Sequence, residues 1–429
     1  MIEARHFENQ ERPPDPGTVR EQWGRIIALL PQLDSVDLIE PSLTLGRSEQ
    51  CDIIIYKSKF PPEHLLLISK EHFRIARDPE DVYITYITDL SKNGTYVNGR
   101  VIGRNKTIVL QNNDVVAVGN MLQVYIFKSM KYSVDDNYLP SSLRQRYEPS
   151  LLLGKGACGE VRLAYAKLSC RKYAIKKILK ARNTPSQIEN INHPSRIQAE
   201  VDILQRLSHP LVVNMEEIVE TDDTVFIVLE YIEGGELSAR ISLLNLLTES
   251  NAKFLFYQIV LAVQYLHSQG VTHRDLKPCN VLLTTDHPQT LIKVTDFGLS
   301  KLSEGCDMKT VCGTLFYMAP EVLNPAISEY DRQVDVWSLG VILFHMLSKE
   351  LPFRAMDKCT LRRLIVTGKY NMRGLPWYEV SPAAKDLIKR MLTIDPKRRI
   401  TVDGILDHPW IKKDNLMIYR VQQLLNTPK

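Results

Sequence analysis

The apolar pattern of this chain changes period part-way along, and that change bounds what it can fold into. From Trp23 to Phe127 apolar residues come in short strand-like runs: Arg25–Leu30, Leu43–Gly46, Phe73–Arg77, Val82–Asp89, Thr107–Val109, Val115–Val118 and Gln123–Phe127. Polar turns containing Asn, Gly, Asp or Pro separate many of them, a pattern that predicts a β-sandwich. A polar stretch with Pro140 and paired serines follows. Strand-like segments return at Leu151–Leu153, Glu160–Ala166 and Lys172–Ile178. Helical spacing then takes over at Ile197–Leu207, Ala252–Leu266 and Val334–Leu347. The expected organisation is a flexible segment 1–22, an all-β domain 23–129, a linker 130–146, an α+β domain 147–411 and a tail 412–429. In the tail, Ile418, Val421, Leu424 and Leu425 share a helical spacing.

At 429 residues the chain has room for two or three domains. A hydrophobic content of 44% is that of folded protein. The net charge of +4 comes without a long basic run, so no direct nucleic-acid partner is read from it. Apolar runs such as Leu65–Ile68 and Val341–Leu343 are too short to span a membrane, and the first residues lack the apolar stretch of a secretory signal. Seven cysteines are scattered without metal-ligand spacing, the pattern of reduced intracellular thiols.

The chemistry-bearing residues of the second domain form an ordered series. Gly154-Lys155-Gly156-Ala157-Cys158-Gly159-Glu160-Val161 lies between two strands, where glycines let backbone amides approach phosphate oxygens. Ala174-Ile175-Lys176 follows. Lys177 is adjacent but points the other way on a regular strand, so Lys176 is preferred as the phosphate ligand. Glu200 opens an apolar helical series. His273-Arg274-Asp275-Leu276-Lys277-Pro278-Cys279-Asn280, Asp296-Phe297-Gly298, Ala319-Pro320-Glu321 and Arg399 complete the set.

This series resembles the eukaryotic serine/threonine protein kinases, a bilobal fold using ATP and Mg2+. The resemblance implies that Gly154, Gly156, Gly159 and Val161 cover the nucleotide, and that Lys176 pairs with Glu200 and holds the α- and β-phosphates. Leu229 lies behind the adenine, and the backbones of Glu230 and Ile232 bond its edge. Asp275 orients the substrate hydroxyl and accepts its proton, and Lys277 stabilises the γ-phosphate. Asn280 and Asp296 are oxygen ligands for a hard cation. Glu236 faces an arginine three residues before the phosphoacceptor. Glu321 pairs with Arg399, and Asp335 braces the catalytic loop. Arg274 binds a phosphate on the activation segment, with Thr310 the best acceptor. Thr314 is a second site or mainly a structural hydroxyl that positions Asp275 and Lys277.

Upstream, Gly46-Arg47, Ser69-x-x-His72 and Asn93-Gly94-Thr95-x-x-Asn98-Gly99 resemble a forkhead-associated domain, a phosphothreonine reader. Arg47, Ser69 and Lys70 supply convergent donors for a dianionic phosphate. Asn93 and Asn98 hold either the bound peptide backbone or the loop itself, and His72 braces the loop.

The combination resembles the checkpoint kinase 2 family. It is carried also by Trp23-Gly24-Arg25, Gly156-Ala157-Cys158-Gly159 and Lys309-Thr310-Val311-Cys312-Gly313-Thr314. That resemblance implies a DNA-damage kinase acting on protein substrates in Arg-x-x-Ser/Thr contexts, primed by an upstream PI3K-like kinase. It further implies phosphothreonine-dependent homodimerisation, trans-autophosphorylation, and residence in the nucleus with cytoplasm as a second compartment. Residues 1–22 contain no Ser-Gln or Thr-Gln pair, and Leu315-Phe316 replaces the family's Pro-Thr. Either this is a short isoform, or the trigger is different, or the reader binds another protein. Two alternatives remain: a phosphothreonine-dependent scaffold, opposed by intact Lys176, Asp275, Asn280 and Asp296, and a meiosis-specific or non-damage kinase of the same architecture.

Overall fold

The computed structural model describes residues 22–119, 122–130, 138–156, 159–180, 201–203, 205–243, 247–296, 314–323, 331–355 and 357–426, with backbone only at Gly156, Leu243 and Thr314. The expectations for residues 1–21, Glu200, Thr310 and the side chain of Thr314 lie outside the described residues. The chain divides into two compact units. One holds residues up to Leu151 together with Ala164–Arg171; the other holds Leu152–Leu163 and everything from Lys172.

The first unit is a β-sandwich. Its strands are β1 (Gly24–Ala28), β2 (Val36–Leu38), β3 (Ser42–Gly46), β4 (Ile53–Ile54), β5 (Phe73–Arg77), β6 (Thr85–Asp89), β7 (Thr95–Val97), β8 (Arg100–Val101), β9 (Thr107–Val109), β10 (Val115–Val118) and β11 (Leu122–Ser129). One sheet has the order β2-β1-β11-β10-β7-β8 and the other β4-β3-β5-β6-β9. Alternation drives the packing: Phe73 and Ile75 of β5 are buried while Arg74 between them is exposed. Ile26, Leu45, Ile87, Val116, Val118 and Tyr125 join them in the core.

Strands β5, β9 and β10 have the bounds read from sequence. β6 starts later than the expected Val82, because the Asp78 and Asp81 carboxylates accept backbone N–H groups of Glu80, Asp81 and Tyr83 and fold those residues into a turn. The apolar run Leu65–Ile68 closes a short helix, α1 (Pro62–Leu67), that periodicity did not reveal. Pro62 in its first turn fits the fixed φ of a helix start. In the second half of the polar stretch, Tyr138, Leu139 and Leu143 are buried around a short helix, α2 (Ser141–Arg144).

The remaining chain opens on a five-stranded sheet: β12 (Tyr147–Gly156), β13 (Gly159–Ala166), β14 (Lys172–Leu179), β15 (Met215–Glu220) and β16 (Thr224–Glu230), in the order β12-β13-β14-β16-β15. Two helices form the centre of the α-rich part. They are α3 (Glu249–Ser268), N-capped by the Thr248 hydroxyl, and α4 (Gln333–Ser348), buried almost all round. Gly340 lies where Met391 and Leu392 cross α4; an added Cβ there would sit 2.9 Å from both side chains. Between them the hairpin β17 (Val281–Leu283) and β18 (Ile292–Val294) carries the residues that matter most for chemistry.

The tail forms helix α5 (Asn415–Asn426), which buries Met417 and Val421 in the core of the second unit. Val421→Ala is expected to remove about 1–2 kcal/mol of stability, by analogy with other buried methyl deletions. Thermal unfolding should show a lowered midpoint for the second unit, with phosphopeptide binding by the first unit unchanged.

Candidate active site and phosphopeptide-reading site

Asp335, fully buried at the start of α4, organises the catalytic loop. Its Oδ2 accepts the His273 N–H at 2.8 Å and its Oδ1 the Arg274 N–H at 2.8 Å, and the His267 ring contacts Oδ2 at 2.8 Å. These bonds hold Arg274 at φ 64°, a conformation side chains rarely adopt, and turn the chain so that Asp275 leads out of the core. The His273 ring bonds the Thr295 carbonyl at 3.0 Å.

Beyond that turn, Lys277 Nζ donates to Asp275 Oδ2 at 2.8 Å. Asn280 Nδ2 donates to the Asp275 carbonyl at 2.8 Å and to its Oδ2 at 3.3 Å. The β17–β18 pairing then brings the other ligand alongside: Val281 faces Val294, and Thr295 N–H bonds the Asn280 carbonyl at 3.0 Å. Asp296 follows with φ 56°. Lys176 on β14 reaches it, with Nζ 3.3 Å from Asp296 Oδ1. The Lys176 ammonium holds the Asp296 carboxyl below its ordinary value. Lys176 is buried, whereas Lys177 projects over the Phe226 ring on the other face. Lys176 therefore joins the cluster and its neighbour does not.

Leu229 is buried opposite Ala174 on the adjoining strand, with Val161 half-buried on β13. Gly159 adopts φ 132°, and a Cβ there would lie 2.2 Å from the Lys177 carbonyl, so only glycine permits β13 to approach β14 so closely. Glu236 is exposed and accepts from Ser238 Oγ at 2.5 Å. Arg399 and Glu321 form a buried two-pronged pair, with Nη1–Oε1 at 2.6 Å and Nη2–Oε2 at 3.0 Å. The other guanidinium N–H groups reach the carbonyls of Thr393, Gln333 and Ile394. This saturated geometry is what makes a buried pair tolerable.

In the first unit, the loop after β3 meets the loop after α1. Arg47 N–H bonds the Ser69 carbonyl at 3.1 Å and Arg47 Nε the Ile68 carbonyl at 2.6 Å, orienting an exposed guanidinium. Gly46 permits this, since a Cβ there would meet the Lys70 carbonyl oxygen at 2.0 Å. Ser69 Oγ accepts the Lys92 N–H at 3.0 Å and keeps its own proton to donate. Lys70 is exposed beside it. Asn93 Nδ2 donates to the carbonyls of Leu66 and Leu67 at 2.8 and 3.2 Å, which leaves its oxygen as an acceptor. Arg47, Ser69 and Lys70 thus offer donors suited to a dianionic phosphate, and Asn93 on the adjoining loop offers an acceptor suited to a peptide N–H. Asn98 does not join them. It lies at the far end of β7, where its carboxamide is committed to Asp114 Oδ1 at 2.7 Å and to the Val115 N–H at 2.9 Å. Of the two roles read from sequence, bracing its own loop is the one this geometry provides.

A family model for the protein kinase domain matches residues 147–411, and one for the FHA domain matches residues 43–119. The ovarian-specific serine/threonine-protein kinase Lok of Drosophila melanogaster is 41% identical over 398 residues, covering 91% of this chain and 83% of that protein. Serine/threonine-protein kinase cds1 of Schizosaccharomyces pombe is 35% identical over 382 residues, covering 85% of this chain and 80% of that one. A crystal structure of Rad53 1-466 in complex with AMP-PNP superposes with a TM-score of 0.58 at 28% identity, covering 91% of this chain and 100% of that chain.

The chain belongs to the checkpoint kinase 2 family. It is an ATP-dependent serine/threonine protein kinase with a forkhead-associated domain. The donor set of this checkpoint kinase fits a magnesium ion. Asn280 uses its nitrogen toward Asp275, which leaves Oδ1 for a cation, and Asp296 adds a carboxylate. Among the described residues no cluster of three His, Cys, Asp or Glu side chains could hold a metal. Two oxygen ligands are enough for Mg2+, which keeps waters and takes substrate phosphates. Among the described residues, Cys51, Cys170, Cys279 and Cys359 form no disulfide. No helix among the described residues is long and apolar enough to cross a membrane.

Sequence reading missed Asp89. Buried at the end of β6, it accepts from Ser91 N and Oγ and from Thr95 N and Oγ1, and so shapes the loop that presents Asn93. Burial pushes its pKa up, but these four bonds hold it below the ordinary value. The Asp-x-Ser pattern, typical of a side-chain-capped turn, was the available signal. His72 is buried between the Ser69 N–H, 3.0 Å from Nδ1, and the Gly94 carbonyl, 3.3 Å from Nε2.

Two outcomes follow. Arg399→Met leaves Glu321 as an unpaired buried carboxylate and should destabilise the second unit by about 3–5 kcal/mol in chemical denaturation. Burial lowers the His72 pKa, so the folded reader binds fewer protons there than the unfolded chain. Stability from this group is complete above its unfolded pKa of roughly 6.5 and declines as pH falls toward the folded value. Hydrogen exchange of β5–β7 amides at pH 7.5 and 5.5 should show faster opening at the lower pH. His72→Gln should flatten that difference.

Proposed function

We propose that this kinase relays a DNA-break signal. Residues 23–129 act as the reader and 147–411 as the kinase, with 130–146 between them. Its reader captures a phosphothreonine on a second copy of the chain, and its kinase domain then phosphorylates Thr310 in trans before acting on Arg-x-x-Ser/Thr substrates. The observation that carries the catalytic reading is the convergence of two contact sets, Asp275 with Lys277 and Asn280 and Lys176 with Asp296, at 2.8–3.3 Å, joined by the Thr295 N–H bond to the Asn280 carbonyl at 3.0 Å. For the reader it is Arg47 held beside Ser69 and Asn93. An upstream PI3K-like kinase supplies the first phosphate, and the chain works mainly in the nucleus.

In the transfer step, the substrate oxygen bonds the γ-phosphorus as the bond to the β–γ bridging oxygen breaks, and ADP departs. The hydroxyl proton passes to Asp275, already positioned by its contacts with Lys277 and Asn280. Lys277 neutralises charge on the moving phosphoryl group, and Lys176 holds the phosphates left on ADP. Asn280 and Asp296 would hold magnesium, which would supply neutralisation of phosphate charge. Arg274 binds the phosphate of the activation segment and so orders it, a role supported by its fixed backbone at Asp335. The ovarian-specific relative at 41% identity favours a germline setting as the second reading.

Wild type, Arg47→Ala and Asp275→Ala proteins expressed with and without DNA breaks test the relay. Asp275→Ala should lose peptide phosphorylation by roughly 10²–10⁴-fold. Arg47→Ala should lower break-induced Thr310 phosphate but not the peptide activity of protein already phosphorylated there. Thr310 phosphate that ignores both breaks and Arg47 would sink the relay and leave the kinase standing. Glu236→Gln should raise KM for a peptide with arginine three residues before the acceptor by about tenfold, and leave the alanine-substituted peptide unaffected.

A further inference from the structure

Lys293 is almost fully buried, three residues before Asp296, and neither phosphate nor metal binding uses it. Its Nζ lies 2.5 Å from Glu230 Oε1 and donates to the Val212 carbonyl at 3.2 Å. The same Glu230 oxygen accepts the Asn214 N–H at 2.7 Å, and Glu230 N–H bonds the Asn214 carbonyl at 3.0 Å. Residues on either side of Val212 close the loop: Val213 N–H bonds the Val294 carbonyl and Val294 N–H the Leu211 carbonyl, both at 2.9 Å. The end of β16, the 211–214 segment and β18 are therefore pinned at one buried point.

Both charges are shielded, with 3% and 11% of their side chains exposed, so neither can be re-solvated without moving backbone. At one end of this clip is Glu230, whose carbonyl faces the nucleotide edge in the reading above. At the other is β18, which delivers Asp296. We infer that Lys293 and Asn214 are positioning residues for nucleotide binding, which hold the Glu230–Ile232 backbone in register with Asp296 through the buried Lys293–Glu230 pair. The inference rests on the nucleotide site proposed above and assigns its geometry to residues outside that site. Removing Lys293 leaves the Glu230 carboxylate buried without its cation. Its cheapest relief is a shift of residue 230 toward water, which moves the carbonyl that receives the nucleotide.

The test compares Lys293→Met, Lys293→Arg, Glu230→Gln and the Glu230→Gln/Lys293→Met double variant in the full chain. ADP affinity is read by calorimetry and peptide kinetics in parallel. Lys293→Met should weaken ADP binding and raise KM for ATP by about tenfold with kcat within about twofold of wild type. Lys293→Arg should recover part of the loss, and the double variant should be no worse than Lys293→Met alone, because the two residues act as a unit. Unchanged ADP affinity in folded Lys293→Met overturns the inference. So does an additive double variant whose losses in kcat and KM merely track its thermal stability. ADP affinity decides the clip by itself, and wild-type turnover decides the catalytic reading, so the two failures are distinguishable.

Discussion

The catalytic geometry depends on a carboxylate with no part in the chemistry. Asp335 is wholly buried and accepts two successive backbone N–H groups, from His273 and Arg274. Those bonds offset the cost of a left-handed Arg274 and fix where the chain leaves the core. Asp275, Lys277 and Asn280 follow within six residues, so their mutual distances are set once that exit is set. The β17–β18 hairpin then delivers Asp296 beside Asn280 by register alone. An error of one residue in that pairing would turn the Asp296 strand over, because side chains alternate between faces.

The reader uses the same physics at smaller scale. Asp89 is buried, accepts from Ser91 and Thr95, and stiffens a loop whose Asn93 reaches back to the α1 carbonyls. Arg47 is aimed by a bond from its own Nε to Ile68. Apart from the buried Lys176, the groups that would touch phosphate are exposed or half-exposed in each site. The groups that hold them are buried and hydrogen-bonded, so the ordering entropy is met when the chain folds rather than when the ligand binds.

Much of this was legible in the sequence. Strands whose residues alternate cleanly, such as Phe73–Arg77, have the predicted bounds. The two long helices differ from their apolar repeats by only a few residues at each end. Apart from β9, the shortest pieces were not legible. β2, β4, β7 and β8 are two or three residues long and exist because neighbouring strands offer them partners. Helix α1 buries no residue, so it leaves no periodic stripe to read.

The sequence by itself determined the residue types and their order: which carboxylates, amides and lysines stand near which glycines, and hence the class of chemistry. Local spacing settles such things because a short loop cannot separate its own residues. What only the tertiary structure decided were the choices between equivalent residues. Asn93 rather than Asn98 lies beside Arg47 and Ser69, and Lys293 meets Glu230 across 63 positions of chain, whereas strand alternation had already separated Lys176 from Lys177. Each of those depends on strand faces and on partners distant in sequence, and composition carries no record of either.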